Sequence, residues 1–262
     1  MSGFRARELE ALKAKIAALE TGGREDSESM SLGDPRIDGR FLKGGLPLGH
    51  WHEFSGEGLE VETGVSAAAF AACLAAPLAR RGEAVWVLRR DDLFAPGLAG
   101  LGFPADRLIQ VCARDEAEAL AVTEDALSTL GVVAVFTEVE SVDLTAGRRL
   151  QLACERRGST GFVIRRRPYG GTARKELAGS AANTRWRIAP APSEPAPGAF
   201  GLGAPRWEVR LDRCRGGRPG AWLMEAEAAY TYEVNDGTHP LRLVAELGDR
   251  QLAPAQPLRL AG

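Results

Sequence analysis

Apolar residues recur along the chain with two different periods, one suited to strands and the other to helices. Short apolar runs of strand length alternate with longer Ala- and Leu-rich segments of helix length. The mainly apolar runs lie at 85–88, 108–111, 132–136 and 160–164, and a further strand is predicted at 50–54. Strands that are apolar throughout belong to sheets covered on both faces, and strands that alternate with helices pair in parallel. The pattern therefore predicts an α/β fold with a mostly parallel sheet flanked by helices.

The first twenty residues predict an amphipathic helix outside this core. Between 4 and 20, apolar residues recur every three or four positions, and Ala, Glu, Lys and Arg fill the gaps. The polar Gly- and Ser-bearing segment 21–29 is typical of a linker, so we expect the helix to be tethered and to bury its stripe against a partner or a second copy. The stripe consists of Leu9, Leu12, Ile16 and Leu19.

The sequence changes character after Arg165. The segment 165–184 is basic, rich in Gly and short of apolar residues, which predicts a loop. Two later segments, 184–192 and 204–234, predict strands at one edge of the sheet. No element is readable after about Gly237. We therefore divide the chain into an N-terminal helix with its linker (1–30), a core domain (31–236) and a C-terminal tail (237–262).

A Gly-bearing loop follows the strand at 50–54 and precedes a helix, which is the setting of a phosphate-binding P-loop. That motif needs G-x-x-x-x-G-K-[ST], because the lysine neutralises the phosphates and the hydroxyl holds magnesium. The loop at 55–66 contains no lysine and carries three glutamates, which would repel a triphosphate. We interpret it as a degenerate P-loop. Its residues of interest are Gly56, Glu57, Gly58, Glu62, Thr63 and Gly64.

The second requirement of a P-loop ATPase, an Asp that holds magnesium at the end of an apolar strand, is also missing. The strand at 132–136 ends in Thr137 and Glu138, and this glutamate is either a metal ligand or an ordinary carboxylate in solvent. The cysteines are far apart, and His50 and His52 have no third ligand nearby, so no zinc site is predicted. We expect no catalytic residue, no ATP hydrolysis, no metal and no cofactor.

The charge of the chain is distributed unevenly. The net charge is −2, but residues through Gly147 include 14 basic and 24 acidic side chains, whereas residues from Arg148 onward include 19 basic and 11 acidic ones. The basic half indicates either a surface for an anionic partner or a solvated Arg-rich surface. No apolar run is long enough for a membrane helix, and the N-terminus does not resemble a signal peptide. We therefore expect a cytoplasmic protein without a membrane partner.

Five segments together resemble the ImuA family, whose members are described as RecA-like and SulA-related. The resemblance covers most of residues 31–230, and its first segment also resembles the approach to the Walker A loop of RecA. It implies a RecA-like core and a role in the SOS response, in which ImuA acts with ImuB, an inactive relative of Y-family polymerases, and with an error-prone replicative-type polymerase. Together they form the mutasome, a translesion-synthesis complex for DNA damage. The segments are GGLPLGHWHEFSG (44–56), LFAPGLAGLGFPADRLIQV (93–111), SVDLTAGRRLQLACERRGSTGFVIR (141–165), TRWRIAPAPS (184–193) and PRWEVRLDRCRGGRPGAWLMEA (205–226).

The resemblance to RecA also assigns a candidate DNA-binding loop. RecA carries a mobile DNA-binding loop after the strand that corresponds to 161–164, where basic side chains can contact phosphates and an aromatic ring can stack on a base. A solvated loop, or one that binds a protein, remains an alternative. RecA has a polar switch glutamine where this chain is basic, so ATP-gated filament formation is not expected. The candidate residues for single-stranded DNA are Arg165, Arg166, Arg167, Tyr169, Arg174 and Lys175.

These observations favour a non-catalytic RecA-like adaptor over two alternatives. An active RecA-like DNA-dependent ATPase conflicts with the missing lysine. A SulA-like inhibitor of cell division fits the long basic second half less well. RecA uses an N-terminal helix to pack on the neighbouring subunit, so the helix at 4–20 serves either self-association or the capture of an ImuB-like partner.

Deleting residues 1–30 is expected to weaken one assembly of the protein, because the deletion removes the apolar stripe that would contact the partner or second copy. The oligomeric state of the purified protein and its co-purification with an ImuB-like partner measure this effect. Survival of every assembly in the truncated protein would exclude the helix as a binding element.

Overall fold

A computed structural model of the chain describes residues 28–58, 60–166, 181–195, 198, 200–227 and 239–247. The predicted N-terminal helix at 4–20 and most of the predicted basic loop lie outside these residues. The described strands are β1 (Ser29–Met30), β2 (Leu46–Pro47), β3 (Trp51–Gly56), β4 (Glu83–Leu88), β5 (Leu108–Cys112), β6 (Val132–Val139), β7 (Thr160–Arg165), β8 (Thr184–Ala191), β9 (Arg206–Cys214), β10 (Gly220–Ala226) and β11 (Leu241–Glu246).

The described α-helices are α1 (Pro35–Asp38), α2 (Glu60–Ala79), α3 (Glu116–Leu127) and α4 (Leu144–Arg157), with 3₁₀ turns at Ala95–Leu101 and Ala105–Arg107. Local chemistry sets the helix ends. Asp115 and Asp143 accept hydrogen bonds from backbone N–H groups in the first turns of α3 and α4, and Gly158 ends α4 with φ of 78°. None of the described helices is both long and apolar enough to cross a membrane.

Nine of the described strands form one sheet in the order β11-β10-β9-β8-β3-β7-β6-β4-β5. The strands from β8 to β5 in this order are parallel to one another, whereas β8, β9, β10 and β11 pair antiparallel. The predicted α/β fold with a mostly parallel, helix-flanked sheet is confirmed, and it is consistent with a RecA-like core.

A row of stacked aromatic side chains crosses one face of the sheet. Trp86 of β4 stacks on Phe136 of β6 at 4.4 Å between ring centroids, and Phe136 stacks on Phe162 of β7 at 4.9 Å. Phe54 of β3 continues the row and lies 6.1 Å from Trp186 of β8. Helix α2 covers this row, and its many alanines let the helix approach rings of this size closely. This packing explains why the helix is rich in Ala rather than Leu.

Aliphatic side chains fill the opposite face, which α3 and α4 cover. Val85, Val135 and Val163 point to this side because neighbouring residues of a strand alternate between faces. Trp51 donates a hydrogen bond from Nε1 to the carbonyl of Gly147 in α4 at 3.0 Å. A Cβ atom at Gly147 would lie 3.1 Å from the Trp51 ring, so glycine at this helical position permits the contact.

The structure places chain beyond both predicted domain boundaries on the core. Glu28 accepts a backbone hydrogen bond from Leu48, and β1 pairs with β2. Residues Leu241–Glu246, inside the predicted tail, form edge strand β11 against β10, with Leu241 and Leu243 buried. The boundary drawn at 237 therefore falls before the last described strand. Its alternating pattern is only six residues long, and the partner strand that buries it cannot be seen in the sequence.

Stability is expected to fall between pH 7 and pH 5 because of the histidines. Burial lowers the pKa of His52 to about 3 and that of His239 to about 4, from an ordinary value near 6.5. Below pH 6.5 the unfolded chain therefore binds protons that the folded chain does not, and acid favours unfolding. Each fully buried histidine contributes about 2 kcal/mol to the loss.

Urea unfolding of His52→Gln at pH 7 and pH 5 tests this directly. In this variant, we expect the difference in unfolding free energy between the two pH values to be about 2 kcal/mol smaller than in the unmodified protein. The absolute stability of the variant does not affect this comparison. His50→Gln is the matched control and is expected to change the difference less, because His50 is only half-buried. Equal pH dependence of all three proteins would contradict the assignment.

Candidate functional site at the carboxyl edge of the sheet

The carboxyl ends of β3, β4, β6, β7 and β8 meet at one edge of the sheet. In open α/β sheets, ligands bind at this edge, beside the strands from which the connections diverge. Strand β3 lies between β7 and β8, and the predicted P-loop follows its last residue, Gly56. A nucleotide bound by a P-loop would therefore lie at this edge.

The connection from β3 to α2 is short. Strand β3 ends at Gly56, and α2 begins at Glu60. The backbone N–H of Glu57 donates to the carbonyl of Ile188 at 2.9 Å, and Gly58 has φ of 112°. The predicted loop extends to 66, whereas Glu62, Thr63 and Gly64 lie in α2. A phosphate cradle needs several backbone N–H groups that are free to point at the ligand, and the amide of Glu57 is already engaged in strand pairing.

Glu138 lies near the end of β6 and is buried. Trp86 Nε1 donates a hydrogen bond to its Oε1 atom at 3.0 Å, and a guanidinium nitrogen of Arg166 donates to its Oε2 atom at 3.0 Å. Arg166 also contacts Asp92 at 2.7 Å. Burial raises the pKa of Glu138, while the charge of Arg166 acts in the opposite direction. Neither sequence interpretation of Glu138, as a metal ligand or as a solvated carboxylate, describes this buried, paired carboxylate.

Glu53, in the interior of β3, is a second buried carboxylate at this edge. Its Oε1 atom lies 3.3 Å from a guanidinium nitrogen of Arg165 and 3.7 Å from Nε of Arg185. Arg165 also donates two hydrogen bonds, of 3.1 and 3.0 Å, to the carbonyl of Glu140. Sequence reasoning missed this cluster. The available signal was a charged residue inside an apolar strand, because such a residue requires a partner of opposite charge.

Two further arginines complete the charge pairing at this edge. Arg89 lies 3.5 Å from the carboxylate of Glu140. Arg187 of β8 pairs with Asp212 of β9 at 2.5 Å and lies 3.7 Å from the carboxylate of Glu57. Every arginine named at this edge thus faces a carboxylate of the same chain, and the edge is a network of structural ion pairs.

The structure describes two of the candidate DNA-binding residues. Arg165 and Arg166 are both turned toward carboxylates, and their side chains are 22% and 10% exposed. A phosphate would have to compete with Glu53 or Glu138 for either guanidinium. The other candidates lie outside the described residues, and contact between this loop and DNA stays a prediction. These candidates are Arg167, Tyr169, Arg174 and Lys175.

The metal-binding side chains of the described ranges are scattered. No group of three or more His, Cys, Asp or Glu residues within those ranges is placed to hold a metal ion. His52 is buried, with Nδ1 2.7 Å from the Thr184 hydroxyl and Nε2 2.9 Å from the Pro47 carbonyl, whereas His50 contacts Gln151. Burial raises the pKa of the Cys154 thiol to about 12, so this thiol is unreactive near neutral pH.

The chain is similar to curated proteins along nearly its whole length. It is 57% identical over 249 residues to a protein named ImuA in two strains of Caulobacter vibrioides. Each match covers 93% of this chain and 100% of the relative. No family model matches the chain.

Replacing Arg166 by Ala is expected to lower the free energy of unfolding by about 3–5 kcal/mol, because Glu138 would remain buried without its cation. The double variant Glu138→Gln/Arg166→Met is expected to recover most of this loss, since it removes both charges. Urea unfolding at pH 7 measures both effects. Arg114→Ala is the control, because its ion pair with Glu118 is exposed and contributes little. Equal stability of the Arg166 and Arg114 variants would show that the Glu138 pair does not support the fold.

Proposed function

The chain belongs to the ImuA family, and from that premise we propose that it is a non-catalytic adaptor in bacterial tolerance of DNA damage. The adaptor acts in translesion synthesis and in damage-induced mutagenesis, as the sequence resemblance implies. A RecA-like sheet is compatible with this role, because function resides in particular sites rather than in a fold.

The observation that carries the proposal is the pairing of Glu138 with Arg166. A P-loop ATPase needs a carboxylate near the end of this strand to hold magnesium, and a lysine to neutralise the phosphates. Glu138 instead directs one oxygen to Trp86 and the other to Arg166. Binding of magnesium there would require the arginine to leave a buried partner, which is costly. The loop after β3 contains no lysine and carries Glu57, whose charge would repel a phosphate.

The partners of the adaptor follow from the resemblance. We propose an ImuB-like inactive Y-family polymerase homologue as the direct partner and an error-prone replicative-type polymerase as a direct or indirect one. Single-stranded DNA is a candidate ligand of the basic loop at 165–175, and the N-terminal helix is a candidate element for self-association. The proposed location of the complex is the cytoplasm.

Nucleotide assays on the purified full-length protein test the absence of catalysis. We expect neither ATP binding nor phosphate release in the presence of magnesium, with or without single-stranded DNA, because the loop after β3 contains no lysine and Glu138 is already paired with Arg166. An active RecA-type ATPase assayed in parallel is the positive control. DNA-stimulated phosphate release would replace the adaptor by the alternative, an active DNA-dependent ATPase.

Co-purification with the ImuB-like protein of the same organism tests the adaptor role separately. We expect a stable complex whose formation does not change on addition of ATP, because assembly does not depend on a nucleotide state. Absence of the complex, combined with filamentous cells and a direct block of division-ring polymerisation on over-expression, would favour the SulA-like alternative.

A further inference from the structure

The amino-terminal edge of the sheet, opposite the candidate site, gathers cations from three separate segments. Helix α4 runs back across the sheet after β6 and ends at this edge, where Gly161 of the next strand donates a hydrogen bond to the carbonyl of His50 at 3.0 Å. The turn between β9 and β10 reaches the same edge, because Thr184 at the start of β8 pairs with Cys214 at the end of β9. The backbone of Arg218 in that turn donates to the carbonyl of Arg40 at 2.8 Å.

We define the amino-edge surface by six cations from these segments. They are Arg40, Lys43, Arg156, Arg157, Arg215 and Arg218. The side chains of Arg156, Arg157 and Arg218 are exposed. None of these three arginines forms an ion pair with any residue in the described part of the chain. At the opposite edge, the arginines named above face carboxylates. Here, the charges of Arg156, Arg157 and Arg218 remain available to a ligand.

Two cations of this surface, Lys43 and Arg215, affect the same histidine, His50. Burial is the main cause of the lowered pKa of His50, and the charges of Arg215 and Lys43 lower it further. Glu155, which accepts a hydrogen bond from Gln151 at 2.9 Å, acts in the opposite direction as the nearby acid. One ring therefore experiences positive charge from two segments that are far apart in sequence.

A structural role at the end of a helix accounts for only part of this surface. Arg156 and Arg157 in the last turn of α4 interact favourably with the helix dipole, which contributes about 0.3–1 kcal/mol for an exposed cation. Arg215 and Arg218 lie in a turn between strands, and Lys43 lies in the segment before β3, so no helix end explains their position. The helix dipole therefore does not explain why Lys43, Arg215 and Arg218 lie on this surface.

We propose that the amino-edge surface binds the phosphate backbone of DNA. Arginine forks suit phosphate oxygens, and adjacent cations on one surface match a polymer with closely spaced negative charges. The described residues of these segments expose no aromatic ring, since Phe41 and Trp51 are buried. Bases therefore have no stacking platform here, and recognition depends on phosphates alone, so single strands and duplexes should bind with similar affinity. The site shares no residue with the loop at 165–175, and the proposal does not depend on the adaptor role.

Two triple variants of the full-length protein test the proposal. The variant R156A/R157A/R218A removes three cations of the amino-edge surface. The control R114A/R149A/R242A removes the same charge from exposed arginines that are paired with carboxylates elsewhere. Fluorescence anisotropy with a labelled 30-nucleotide single strand and the matching duplex, at about 50 to 200 mM salt, reports the affinity and its salt dependence.

We expect the amino-edge variant to bind both DNA forms at least about tenfold more weakly at low salt, and the slope of affinity against salt to fall by roughly two to three, one for each lost phosphate contact. The control is expected to bind as the unmodified protein does. Circular dichroism and thermal unfolding of both variants confirm that the fold is retained.

Three results would overturn the proposal. The first is an unmodified protein that binds neither DNA form at low salt. The second is an equal loss in both triple variants, which would show that only net charge matters. The third is loss of all binding in R167A/R174A/K175A while R156A/R157A/R218A binds normally, which would assign DNA contact to the loop that follows β7 in the sequence.

Discussion

Two carboxylates buried inside a parallel sheet impose the constraint on which the carboxyl edge depends. A charge held away from water is strongly unfavourable unless an opposite charge and hydrogen-bond donors replace the lost solvent. Glu53 meets this requirement through Arg165 and Arg185, on the strands to either side of it. Glu138 meets it through Arg166 and the indole of Trp86. These three arginines are therefore committed to the fold, which supports the proposed role without binding of a triphosphate.

The aromatic row fixes the register of the strands that carry these charges. Trp86, Phe136, Phe162, Phe54 and Trp186 hold β4, β6, β7, β3 and β8 in register, and each of them is buried. A slip of one residue in β3 would turn the ring of Phe54 to the opposite face and Glu53 toward the aromatic core. Helix α2 can cover so large an aromatic surface because most of its facing residues are alanines. The indole of Trp86 links the two systems, since its ring belongs to the row and its N–H binds Glu138.

The two edges of the sheet thus differ in electrostatic character although both are rich in arginine. At the carboxyl edge, carboxylates hold Arg89, Arg165, Arg166 and Arg187. At the amino edge, Arg156, Arg157 and Arg218 extend into solvent from elements that end there. A RecA-like core can offer surfaces of this kind, and the proposed adaptor needs surfaces rather than a reaction centre. The proposed division assigns stability to one edge and binding of an anionic polymer to the other.

The sequence by itself determined the fold class, most strands of the sheet, the absence of a P-loop lysine and the resemblance to the ImuA family. These properties follow from periodicity and from short motifs, which are local in the chain. Only the tertiary structure decided that α2 begins at Glu60, that Leu241–Glu246 forms the edge strand, and that Arg165 and Arg166 are held by carboxylates. Arg165 and Glu53 are 112 positions apart, and no local pattern links them. Pairing of buried charges depends on which strands become neighbours, and strand order is set by the packing of the whole domain.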